Sequence, residues 1–141
     1  MKLAYTILIL SFFHSITSTA QEKNITIGSG GGFAGTSTVY KITSSGKVFK
    51  GKGIGEIKYT ECGKIKKAHA LKYIQSVSEQ TQSNEQFNHP GNLYYFVGYA
   101  ENSKDHKVTW GDVGHPVPES IQKLYQEINS AISSLRFKPI K

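Results

Sequence analysis

The chain is poor in several of the residues that chemistry usually needs: its 141 residues include one cysteine, one arginine, one tryptophan and only 10 Asp or Glu. A lone Cys62 excludes an intramolecular disulfide, so the fold must rest on packing whatever the redox state of its compartment. With Arg136 as the sole arginine, the bidentate guanidinium contacts typical of nucleic-acid readers are missing, and no nucleic-acid partner is expected. The few carboxylates are scattered, which gives no pair for acid/base hydrolysis. Neither H-E-x-x-H nor G-x-S-x-G occurs, and Cys62 sits in Thr60-Glu61-Cys62-Gly63 without the local signature of a cysteine hydrolase. After the first 20 residues no apolar run approaches the roughly 20 residues that cross a bilayer, so no transmembrane segment is expected. These absences point away from catalysis: the chain is expected to be no enzyme, and to carry no cofactor and no metal.

What is present begins with a leader. Lys2 precedes an apolar run from Leu3 to Phe13, and the small-residue stretch Ser18-Thr19-Ala20 follows, which is the pattern of a secretory signal peptide cleaved before Gln21. Residues 1–20 are therefore expected to be removed, and 21–141 to form one domain large enough to bury a core without staples. A secreted or periplasmic location follows. The formal net charge of the chain is +7, with lysines spread from Lys41 to Lys72. Such a balance serves solubility as a solvated face, or meets an acidic partner or an anionic envelope surface.

Periodicity supplies the organisation. Ile25-Thr26-Ile27 reads as a strand entering the glycine cluster Gly28 to Gly35, with the β-branched stretch Thr36 to Thr43 as its hairpin partner. Lys47 to Lys50 starts a third strand; Glu56 to Glu61 alternates as a fourth, with Ile57 and Tyr59 on one side. From Lys64 to Gln80 the period becomes helical, with Ala70, Leu71, Ile74 and Val77 as the apolar stripe. The polar stretch Thr81 to Asn92 closes on turn residues. Leu93 to Tyr99 is apolar on both faces, which marks a central strand, and His106 to Trp110 returns after a turn at Asn102 to Asp105. Pro118 and Glu119 open a last helix carrying Ile121, Leu124, Tyr125, Ile128, Ile132 and Leu135. The order ββββ-α-ββ-α predicts an α+β domain, an antiparallel sheet of about six strands with two amphipathic helices packed on it.

Two loops stand out as candidate sites. Gly30, Gly32 and Gly35 match G-x-G-x-x-G, but a strand pattern follows them instead of the helix N-terminus that a phosphate needs, so a dinucleotide site is not expected. The same glycines suit a hairpin loop, or a smooth surface against which a partner's main chain can lie. Phe33 is the only large side chain there, and either a core plug or a contact is open to it. The second loop runs from Trp110-Gly111-Asp112 through His115-Pro116-Val117-Pro118, where two prolines reduce the entropy lost on binding. A zinc site built from His106, Asp112 and His115 would need all three to converge from a strand and a loop.

At Ser29-Gly30-Gly31-Gly32-Phe33-Ala34-Gly35 the chain resembles the emfourin family, bacterial proteinaceous inhibitors of thermolysin-like (M4) zinc metallopeptidases. The matching residues are Ser29, Gly31, Gly32, Phe33, Ala34 and Gly35, with Gly30 extra; a middle helix, a late hairpin and a final helix follow in a similar pattern. The Lys47 to Glu61 hairpin and the leader are additional, so what the chain resembles is a divergent member of that family. The resemblance implies a secreted or envelope metallopeptidase as the protein partner, blocked by the glycine loop together with Trp110, Asp112 and His115. The other reading is a periplasmic or extracellular binding module for an anionic envelope component or a partner protein.

Overall fold

The computed structural model describes residues 22–135, so the expected leader and Arg136 lie outside the described residues. The fold is α+β, with a seven-stranded, mostly antiparallel sheet and two helices. In chain order these are β1 (Asn24–Gly31), β2 (Ser37–Thr43), β3 (Lys47–Gly53), β4 (Tyr59–Lys64), α1 (Lys67–Ser83), β5 (Asn88–His89), β6 (Leu93–Glu101), β7 (Lys104–Trp110) and α2 (Glu119–Ser133). The strands lie in the spatial order β4-β3-β2-β1-β6-β7-β5. The seventh strand is β5, two residues inside the stretch that reads as polar turn, and it pairs parallel to β7. Too short to show an alternation, it leaves no periodic trace.

The register fixes two faces. Ile25 stands opposite Ile42 and Tyr99, Ile27 opposite Val97, and Val97 opposite Val108, so these residues share one face. Both helices cover that face. Tyr73, Ile74 and Val77 of α1 and Ile121, Leu124, Ile128 and Ile132 of α2 join the strand residues in a single buried cluster. Burial of each such aliphatic side chain contributes about 1.5–3 kcal/mol. In α1 the stripe differs from the expected one by a rotation: Leu71 is exposed and Tyr73 takes its place in the core. At about 100° per residue, Ala70, Tyr73, Ile74, Val77 and Thr81 fall on one narrow arc, and Leu71 lies off its edge.

The β3–β4 pairing skips Cys62, because Val48 faces Gly63 while Phe49 faces Glu61. Such a bulge bends an edge strand and discourages further pairing. Cys62 itself is half-buried against the core, and burial pushes its thiol up from the ordinary value. No described helix is long and apolar enough to cross a membrane.

Candidate functional site

The antiparallel pairings bring four connections to one end of the sheet. Gly31 at the end of β1 faces Leu93 at the start of β6, Tyr95 faces Trp110 at the end of β7, and Ser37 and Gly51 place the β3–β4 link beside them. The segments 32–36, 54–58, 90–92 and 111–118 thus form one rim. Each of the first two and the last carries a large apolar side chain in full or nearly full solvent: Phe33 at 112% exposure, Ile54 at 72% and Val113 at 100%. Leu93, at 59%, stands between them at the strand start. Exposed apolar residues along one rim of the sheet mark an interaction surface more than scattered ones do.

The glycine loop is held from below. Gly31 has a φ of 96°, in the left-handed region, and its backbone lies so close to Asn92 that a Cβ would stand 2.0 Å from the Asn92 carbonyl oxygen. Next to it the Gly32 N–H donates to that same oxygen at 2.8 Å, and the Gly35 N–H closes the turn on the Gly32 carbonyl at 3.1 Å. The loop tip presents Phe33 to solvent without packing it in the core, so the residue is no core plug.

The second loop is fastened on three sides. The Asp112 N–H donates to the His89 carbonyl at 3.0 Å and the His115 N–H to the Asp112 carbonyl at 3.2 Å. The Asp112 carboxylate accepts the Gly114 N–H at 3.1 Å on one oxygen and meets His115 Nδ1 at 2.5 Å on the other. The His115 hydrogen bond, aided by Gly114, holds the Asp112 carboxyl below its usual range. His115 also stacks on His89, and Phe87 meets His89 edge-on. A Cβ on Gly111 would lie 2.2 Å from the Leu93 carbonyl oxygen, so the second loop also leans on the segment that supports the first.

Of the residues singled out in the sequence, Gly31, Gly32, Phe33, Ala34, Gly35, Asp112 and His115 come together on the rim. Trp110 and Ser29 stand back from it, on the helix-covered face. Trp110 is buried against Tyr95 and Tyr125, and the Ser29 hydroxyl faces the Tyr125 phenol, whose ionisation burial pushes upward. These two form the base on which the rim is built. His106 lies apart from Asp112 and His115: its Nδ1 is 3.3 Å from Glu85 beyond α1, out of hydrogen-bond alignment. Among the described residues no three His, Cys, Asp or Glu side chains converge as a metal site would require. Ile54, Leu93 and Val113 escaped the sequence reading. Ile54 and Val113 are isolated apolar residues in loops and carry no period, while Leu93 reads as a strand residue; the pairing of the strand ends is what sets all three on the rim with Phe33.

The fold and rim define a class: a small α+β domain with pinned, apolar-tipped loops at one sheet end and helices behind. The chain matches no protein-family model and no curated protein sequence.

Proposed function

We propose that this protein is an exported binding protein whose loop rim seats in the cleft of a partner enzyme. A thermolysin-like metallopeptidase is the partner implied by the resemblance at Ser29 to Gly35. The observation that carries the binding reading is the convergence of the 32–35 and 111–118 loops with Phe33 and Val113 fully exposed at their tips. A partner cleft that takes up such side chains gains the energy of burying them. Because the hydrogen bonds beneath each loop are already made, little ordering remains to be done on binding. Such an inhibitor needs no catalytic group of its own.

The experiment is a titration of thermolysin-like enzymes with the purified protein. Loss of turnover with a sharp end point at one protein per enzyme supports the inhibitor reading. Full activity across several such enzymes at micromolar protein removes it, and a pull-down from the secreted fraction then asks what else the rim holds.

A further inference from the structure

The sheet has a second face, which neither helix covers, and it is built unlike an ordinary solvent face. A cleft of about 520 Å³ runs along it from Ala100 and Asp105 up to Gly35 and Gly55 at the rim. Gly28 and Gly30 of β1 leave room for the Phe96 and Tyr94 rings of β6, which lie over them and line the cleft: a Cβ on Gly28 would stand 2.6 Å from Phe96, and one on Gly30 2.5 Å from the Tyr94 hydroxyl. Ser37 Oγ and the Tyr94 hydroxyl share a hydrogen bond of 2.8 Å within it. Lys41, Thr26, Gly98 and Lys107 form one row across the sheet, which spaces the two lysines three strands apart, about 14 Å. Each ammonium rests over an aromatic ring, Lys41 at 4.3 Å from the Tyr59 centroid and Lys107 at 4.3 Å from that of Phe96. Among the described residues neither has a carboxylate within salt-bridge distance, while Lys23, Lys47, Lys72 and Lys123 each do.

We propose that this open face is a second binding site, for an acidic glycan chain, independent of the loop rim. Charge decides the sign of the ligand: Lys107 in the cleft lining and Lys41 beside it over the lining residue Tyr59 offer two ammonium groups to anions, against the single lining carboxylate of Asp105. Backbone chemistry decides between a sugar and a peptide. An extended peptide gains affinity by pairing with a sheet edge, but β1, β2 and β6 each have a neighbour on both sides, so their main-chain groups are already engaged. What the face has left are hydroxyls at Thr26, Ser37, Tyr59 and Tyr94 between aromatic rings, the partners that sugar hydroxyls and apolar sugar faces need.

Calorimetric titration of the protein with an oligogalacturonate tests this, with maltohexaose as the neutral counterpart and hexaglutamate as the acidic peptide. The expected result is saturable oligogalacturonate binding that weakens as salt rises, with at least tenfold weaker binding of the other two. The double variant Lys41→Glu/Lys107→Glu is expected to lose tenfold or more, whereas Lys123→Glu, on α2, and Phe33→Ala, on the rim, leave binding unchanged. Amide shifts at Thr26 and Gly98 on titration would place the ligand. Absence of saturable binding, equal binding of hexaglutamate or maltohexaose, or an equal loss in Lys123→Glu would overturn the proposal. None of these outcomes bears on metallopeptidase inhibition, which is read separately.

Discussion

The imidazole rings of His89 and His115 lie parallel, 1° apart in plane, with centroids 4.0 Å apart. One ring belongs to the short strand β5 and the other to the 111–118 loop, so the stack ties the loop to the sheet, and Asp112 holds the far edge of the His115 ring. The Asp112 carboxyl is held below its ordinary value of 3.8 by the His115 and Gly114 hydrogen bonds. A carboxyl depressed on folding adds stability above its unfolded value and loses it as pH falls through the folded one. As Asp112 is protonated, on the acid side of 3.8, the loop is therefore expected to loosen. In an NMR titration the Asp112 carboxyl midpoint should lie below that value, with the Gly114 amide shifting in step. In Asp112→Asn the Gly114 step should vanish. A midpoint at or above 3.8 would show that His115 does not hold this carboxylate in solution.

Gly31 and Gly35 both have left-handed backbones, with φ of 96° and 58°, but only Gly31 is crowded. Alanine at Gly35 meets nothing within 4 Å and bears the left-handed cost alone, about 1–2 kcal/mol. Alanine at Gly31 adds a clash with the Asn92 carbonyl and pulls apart the Gly32 hydrogen bond that joins the two supporting segments. Urea unfolding should rank Gly31→Ala clearly below Gly35→Ala. Equal stabilities would mean that the Asn92 segment yields freely and that the rim is less rigid than its hydrogen bonds imply.

The elements with a period were legible in the sequence. Ile121, Leu124, Ile128 and Ile132 repeat at helical spacing and are the buried face of α2, and Leu93 to Tyr99 is the strand between β1 and β7 that its two apolar faces foretell. Leu71 shows the limit, since an apolar residue beside the arc of Ala70, Tyr73, Ile74 and Val77 counts toward the stripe in sequence yet lies outside the covered face. The β5 strand is shorter than any period. In the rim, glycine and proline chemistry pointed to the two loops, but their union depends on the Asn92 carbonyl, which accepts the Gly32 N–H, and on the Leu93 backbone, which Gly111 approaches closely. A backbone acceptor leaves no mark on residue type, so the bridge between the loops was invisible until the strands were paired.

Ile128 is fully buried on α2, inside the cluster shared with the sheet. Ile128→Ala removes three side-chain carbons, one methylene and two methyls, from a site bounded by a β-sheet that has little room to collapse. The expected loss is about 2–5 kcal/mol, seen as a lower urea midpoint with an unchanged slope. Because α2 packs on β1 and β6, whose ends carry the rim, the same variant should also weaken partner binding as its folded fraction falls. A loss under about 1 kcal/mol would mean that α2 is not packed as described.

Phe33 gives the opposite pattern. Its ring touches solvent on all sides at 112% exposure, so Phe33→Ala should leave stability within about 0.5 kcal/mol of the parent. If the ring is the anchor that enters a partner's cleft, the same change should weaken binding by tenfold or more, about 1.4 kcal/mol or greater. Val113→Ala at the other loop tip, equally exposed, tests whether both loops engage at once. Two single losses, each present and additive in the double variant, mean that the two tips contact separate parts of one cleft. Isothermal titration against the captured partner, beside urea unfolding of each variant, separates the two effects. Should Phe33→Ala unfold the protein yet bind normally when folded, the ring would be structural and the rim would lose its anchor.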